Sequence, residues 1–227
     1  MEEKPNDFLS SISNLQGMKG IPVRKRVDPL ISNELKLYQC TYNTVHTIRG
    51  TRIKIQFSRE GKILYSTKLK GRRPEKPIPI AKGPEMHYSS KEFAGFLLTG
   101  NNHNSFSLRA KTEYGKEILS IQISHPSRNR NIPKDISLTF FQKDSLVPQK
   151  LVNRKCDYNA DGYWEIDFDG KEATPSTKNC ILVNECNNCE YIGIRKISNS
   201  LIEIDSVEIV TPLSVFGIAL SVFIAQT

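Results

Sequence analysis

The chain has 227 residues, 32 Lys/Arg against 24 Asp/Glu, five cysteines and 38% hydrophobic residues, which fits one soluble globular domain and excludes fibrous, collagen-like and fully disordered classes. The charge is unevenly placed: residues 19–76 hold 15 Lys/Arg against 4 acidic residues, residues 77–156 hold 12 against 6, and residues 157–227 hold 4 against 11. A basic front half is an electrostatic footprint for phosphates, carried either by nucleic acid or by an anionic membrane.

Residues 1–33 read as an N-terminal extension. It opens Met1-Glu2-Glu3-Lys4-Pro5, with no apolar run of signal-peptide length, and the odd cysteine count lacks the spacing of a disulfide framework. A reducing, cytoplasmic location is therefore expected. Phe8, Leu9, Ile12 and Leu15 fall at helical spacing and predict a short amphipathic segment, a docking element for a protein partner, which Gly17 and Gly20 separate from the strands. Arg24-Lys25-Arg26 is a basic patch, read as a nuclear-import signal, as membrane-surface charge or as a solvated linker.

From residue 34 onward most apolar positions alternate, the pattern of strands with one wet face. Ile53 to Phe57 and Ile63 to Lys70 flank the turn-like Ser58-Arg59-Glu60-Gly61 and predict a hairpin. Phe106 to Leu108, Ile118 to Ile123, Ile136 to Phe140, Trp164 to Phe168 and Leu201 to Val210 add further strands. Leu213 to Ala225 is different. It is apolar on nearly every side, comes after a Pro suited to a helix start, and at ~1.5 Å per residue is roughly 20 Å long, short of a ~30 Å bilayer core. A buried core helix is expected, inside a closed barrel that hides its strand edges.

The last third also carries a resemblance. Phe168-Asp169-Gly170-Lys171 with Ser176-Thr177-Lys178-Asn179, and the final Phe216-Gly217-Ile218-Ala219-Leu220-Ser221-Val222-Phe223, are similar to signature motifs of the tubby-like family. Asn131 to Leu138 and Leu69-Lys70-Gly71-Arg72-Arg73 are weaker echoes. The resemblance runs from about Leu35 to the end and departs from the family at Thr174-Pro175, at Cys180 and in the closing residues. The scramblase-like and LURP-like relatives share the barrel and remain alternatives.

The resemblance implies an all-β domain over residues 34–227. It is expected to be a closed, roughly twelve-stranded antiparallel barrel around a buried hydrophobic C-terminal helix. It further implies binding of phosphatidylinositol 4,5-bisphosphate headgroups and peripheral attachment to the cytoplasmic face of the plasma membrane, in an adaptor or regulatory role with optional transfer to the nucleus. The family's headgroup site maps here onto Lys68, Lys70, Arg72, Arg73 and Lys76. Lys68, Lys70 and Arg72 are spaced by two and share one face while the chain stays extended. Pro74, Pro77 and Pro79 are expected to break the strand early, and Leu98 stands where a headgroup-binding Arg is expected.

Other motifs carry less. Arg128, Arg130 and Lys134 read as a solvated basic linker. Asp157 to Gly162 matches half of a calcium loop but has Phe168 where the bidentate Glu belongs, so a hairpin turn is expected instead. Cys186-Asn187-Asn188-Cys189, with Cys180 upstream, has no His in zinc-ligand spacing and reads as a surface loop with incidental thiols. Asp167 and Asp169 are taken as one wet strand face. No catalytic motif is found, so no enzyme, metal or cofactor is expected. Anionic phosphoinositides are the expected partners; a nucleic-acid-binding or transcriptional role and a scramblase-like membrane barrel are the alternatives.

Overall fold

The computed structural model describes residues 34–48, 50–71, 74, 76–87, 92–101, 103–124, 134–141, 146–158 and 164–225. In chain order its elements are β1 (Leu35–Thr47), β2 (Gly50–Arg59), β3 (Lys62–Leu69), β4 (Ile78–Lys82), β5 (Gly95–Thr99), β6 (Ser105–Ala110), β7 (Glu117–Ser124), β8 (Asp135–Phe140), β9 (Lys150–Asn153), β10 (Asp157–Tyr158), β11 (Trp164–Glu165), β12 (Cys180–Asn184), β13 (Glu190–Lys196), β14 (Leu201–Val207) and α1 (Pro212–Ile224). Twelve of these strands form a closed antiparallel barrel. Each lies beside its neighbour in sequence, β9 pairs with β12 across the β10–β11 excursion, and β14 returns to β1 to close the ring.

Alternation builds the wall. Leu119, Ile121 and Ile123 of β7 and Ile136, Leu138 and Phe140 of β8 are buried, with Ser120, Gln122, Ser137 and Thr139 interleaved. The expected hairpin closes at Glu60-Gly61, both at positive φ (52° and 76°), between paired Arg59 and Lys62. Left-handed conformations at both loop residues match the right-handed twist of the flanking strands. One residue later the register shifts: Leu64 is an extra residue in β3, so Phe57 pairs with Tyr65 and Lys54 with Lys68.

Several expectations are corrected. Of Trp164 to Phe168 only Trp164–Glu165 is a strand, paired with Asp157–Tyr158 in a separate two-stranded sheet, so the expected strand stops early; the turn expected within Asp157 to Gly162 falls largely outside the described residues. Asp167 and Asp169 do not share a strand face: the Asp167 Oδ1 accepts a 2.8 Å hydrogen bond from the Asp169 amide, and Asp169 has φ 56°, a turn. The last strand ends at Val207 rather than Val210. Pro79 lies inside β4 instead of ending the sheet; β4 pairs with β3 at only two positions, and the Thr67 hydroxyl donates to the Pro79 carbonyl at 2.7 Å. The amphipathic segment of residues 1–33 lies outside the described residues, as do Arg24, Lys25 and Arg26.

The helix occupies the interior. Thr211 caps its N-terminus by accepting from the Ser214 amide, and Pro212 stands in its first turn. Val215, Phe216, Ile218, Ala219, Leu220 and Val222 have no exposed surface, and the helix touches β3, β6, β7 and β14, strands from opposite sides of the ring. Phe216 stacks on Phe57 and Tyr65 with ring centroids 5.1 and 6.1 Å away. A side chain at Gly217 would place its Cβ 2.9 Å from Leu108 Cδ2, so the glycine sets how closely α1 approaches β6. Among the described residues no helix is long and apolar enough to cross a membrane.

The C-terminal end of α1 has no basic residue of its own. Lys134, expected on a solvated linker, is instead 1% exposed and donates from Nζ to the Ala225 carbonyl at 3.2 Å. It thereby caps the negative end of the helix from across the barrel. Asn153 Nδ2 donates to the Lys134 carbonyl at 2.8 Å, and Lys178 Nζ sits 4.7 Å from the Phe223 ring centroid. Burial, reinforced by the Lys178 charge, pulls the Lys134 ammonium down from 10.5 to about 8. The folded chain therefore sheds this proton near pH 8, while the unfolded chain keeps it until about 10.5, so stability rises through that window. Urea denaturation of wild type beside Lys134→Met is expected to show wild type gaining stability relative to the variant from pH 8 to 10.5, with a constant difference below that range; a flat difference throughout would contradict the buried cation.

Candidate anion-binding site

The register shift at Leu64 decides what faces solvent on the β2–β3 pair. Ile55, Phe57, Thr67 and Leu69 are buried toward the core, and Ile53 and Tyr65 pack against it. By alternation Arg52, Lys54 and Lys68 point outward, and Lys70 comes next, exposed. Lys54 stands directly opposite Lys68, and Arg52 and Lys70 flank the adjoining Ile53–Leu69 pair. The result is a rough square of cations: Lys54 and Lys68 are paired across strands about 4.8 Å apart, Arg52 lies about 7 Å further along β2, and the exposed Lys70 follows just past the end of β3. Like charges directly opposite one another destabilise a sheet, so such a square calls for an anion.

The chain supplies one. After β4 the segment Gly83–His87 doubles back over the outer face of β3 and β2. The Gly83 amide donates to the Leu64 carbonyl at 2.8 Å, and Gln56 Nε2 donates to the Pro84 carbonyl at 3.1 Å. Met86 is 1% exposed although it is outside the barrel-core cluster, and Ser66 is fully covered. These anchors hold the Glu85 carboxylate on the square, 3.1 Å from Lys54 Nζ and 3.9 Å from Lys68 Nζ. The Lys54 hydrogen bond and charge, with smaller help from Lys68 and His87, hold the Glu85 carboxyl below its usual range.

Of the residues singled out from the sequence, Lys68, Lys70 and Lys76 are described, and all three lie toward the barrel end where β3 stops and β4 begins; Lys76 is exposed in that loop. Arg72 and Arg73 lie outside the described residues. Leu98 is on β5, opposite Ser107 and next to the inward-facing Leu97. Arg52 and Lys54 were missed by reading along the chain, because only the paired register brings them to the lysines.

The signature-like residues of the last third are placed elsewhere and hold a strap against the outside of β13 and β14. Lys171 Nζ meets Asp205 at 2.8 Å, and Asp205 also meets Arg195 at 3.4 Å. Arg195, 4% exposed, bonds Glu203 at 2.9 Å and the Glu172 carbonyl at 2.8 Å. Asn179 accepts from the Lys196 amide at 2.8 Å and donates to the Thr174 carbonyl at 3.0 Å. The thiols differ from a surface loop: Cys186 is exposed, but Cys40, Cys180 and Cys189 are buried. Burial pushes the Cys40 thiol up to about 12 and the Cys180 thiol higher still, which suits packing rather than nucleophilic or ligand chemistry.

A carboxylate seated between two cations competes with any incoming anion. Replacing Glu85 with Gln removes that charge and keeps the shape, and is expected to tighten binding of inositol 1,4,5-trisphosphate by roughly three- to tenfold at low salt, measured by calorimetry, with the gain shrinking as salt screens the contact. Unchanged or weaker binding would mean that Glu85 orders the lysines more than it opposes the ligand.

A comparison with protein-family models finds no match to this chain, and a comparison with curated protein sequences finds none.

Proposed function

We propose that this protein binds phosphoinositide headgroups, phosphatidylinositol 4,5-bisphosphate foremost, and that this attaches it peripherally to the cytoplasmic face of the plasma membrane as an adaptor or regulator. The observation that carries the reading is the gathering of Arg52, Lys54 and Lys68 on one outward face, with the exposed Lys70 just past the end of β3. Arg52 contributes a planar fork for phosphate oxygens and the lysines contribute point charges, a set suited to two clustered phosphates. The sequence continues into Arg72 and Arg73 and then Lys76, extending the same basic run. The resemblance of the Leu69 to Arg73 segment to the tubby-like headgroup site supports the same reading.

None of residues 52–54 or 68–70 is aromatic. Single-stranded nucleic acid is usually held by bases stacked on aromatic side chains, so the composition of this face favours a headgroup over a nucleic acid.

The test is co-sedimentation with two sets of charge-matched vesicles, one carrying a few per cent phosphatidylinositol 4,5-bisphosphate and the other phosphatidylserine. Wild type is expected to pellet with the first set only. Lys54→Ala/Lys68→Ala and Arg72→Ala/Arg73→Ala are each expected to lose about 2 kcal/mol, roughly thirtyfold in affinity, at about 1 kcal/mol per cation near the surface. Equal binding to both sets would reduce the face to a nonspecific basic patch, and binding to neither would overturn the reading.

A further inference from the structure

β1 and β2 outrun their neighbours. The last pair between β1 and β14 is Thr41 with Leu201, and the last pair between β2 and β3 is Ile53 with Leu69, yet β1 and β2 stay paired as far as Thr47 and Gly50. The remainder is a two-stranded arm that reaches roughly 10 Å past the end of β3 at about 3.3 Å per residue. A contact of 3.3 Å between Thr51 Oγ1 and His46 Nδ1 ties its two strands near the tip.

Ile48 stands at the apex, 108% exposed, and Val45 on the arm is 39% exposed and pairs with Arg52. A single exposed apolar residue is ordinary on a protein surface. Here the exposed Ile48 is at the end of a projecting arm whose base is the cationic square, and in the sequence it is followed by Arg49, which lies outside the described residues; an apolar side chain with basic flanks is complementary to an anionic lipid surface.

We infer that the tip of the β1–β2 hairpin is a membrane-inserting wedge, with Ile48 entering the acyl boundary while Arg52, Lys54, Lys68 and Lys70 engage phosphates above it. The dimensions agree. The headgroup layer is roughly 5–8 Å deep per leaflet. Arg52 lies two strand positions below the Gly50 end of the arm, roughly 7 Å. With Ile48 at the acyl boundary, Arg52 is then level with the lipid phosphates. Lys54 and Lys68 lie about 7 Å further out, where a headgroup that projects from the bilayer presents its own phosphates. This inference rests on the square being the membrane-facing site.

The experiment separates the two claims by using a soluble headgroup beside whole vesicles. Wild type and Ile48→Asp are compared for binding of inositol 1,4,5-trisphosphate by calorimetry and of phosphatidylinositol 4,5-bisphosphate vesicles by co-sedimentation. The variant is expected to bind the trisphosphate as wild type does and the vesicles at least about tenfold more weakly, since one buried Ile accounts for that order of affinity. In parallel, Ile48→Trp in a Trp164→Phe background is expected to be quenched by lipids brominated high on the acyl chain. Equal vesicle binding by variant and wild type, with trisphosphate binding intact, overturns the wedge and leaves the headgroup reading standing. Absence of quenching on vesicle-bound protein overturns it as well. A wild-type chain that binds neither probe overturns both claims, whereas quenching on phosphatidylserine vesicles without trisphosphate binding supports the wedge and overturns the headgroup site.

Discussion

Thirteen residues from Pro212 to Ile224 form a helix without a polar face, and the chain must hide every side of it. One flat sheet covers one side only, and two sheets leave open edges; a ring of antiparallel strands covers all sides and leaves no edge unpaired. The interior residues answer to that helix: Phe216 fixes the aromatic stack with Phe57 and Tyr65, and Gly217 admits Leu108 at close approach. The ends of the helix are also met by the barrel, with Thr211 capping the first turn and Lys134 reaching in to the last carbonyl. The buried cation costs desolvation, and the helix carbonyl at the negative end of the dipole offsets part of that cost.

The wall that encloses the helix also positions the outer face. Because inward and outward positions alternate, the need to turn Phe57 and Tyr65 toward Phe216 dictates which side chains of β2 and β3 meet solvent. The extra residue at Leu64 then slides β3 by one position, which sets Lys54 against Lys68 rather than against Thr67. Charge repulsion across that pair is relieved by Glu85, brought there by a strap whose Met86 is buried against the outside of the barrel. The face thus carries a group of cations that is partly neutralised by one of the chain's own carboxylates.

Much of this was legible in the sequence where one physical signal dominated. The all-apolar final helix and the alternating β2, β3, β7 and β8 come directly from hydrophobic period. β4 was hidden by Pro79, which cannot donate to a ladder and is tolerated because β3 and β4 pair only briefly. β12 was hidden for a different reason: Ile181 and Val183 are buried together with Cys180 and Leu182, so the strand is covered on both faces and its alternation is lost. In the site, Lys68 and Lys70 were legible from spacing along one strand. Arg52 and Lys54 were not, since their relation to the lysines depends on a bulge. Lys134 stands between Pro133 and Asp135 and looks like a solvated lysine; the carbonyl that buries it is 91 residues away.

On the proposed reading, phosphates meet this protein on the outer face of β2 and β3. Titration of the ¹⁵N-labelled chain with inositol 1,4,5-trisphosphate, monitored by amide chemical shifts, tests it most directly. The largest shifts are expected on residues 52–54 and 68–70 together with Glu85, whose carboxylate the ligand would displace. Shifts centred instead on the Arg195 network of β13 and β14, or no shifts at millimolar ligand, would contradict it.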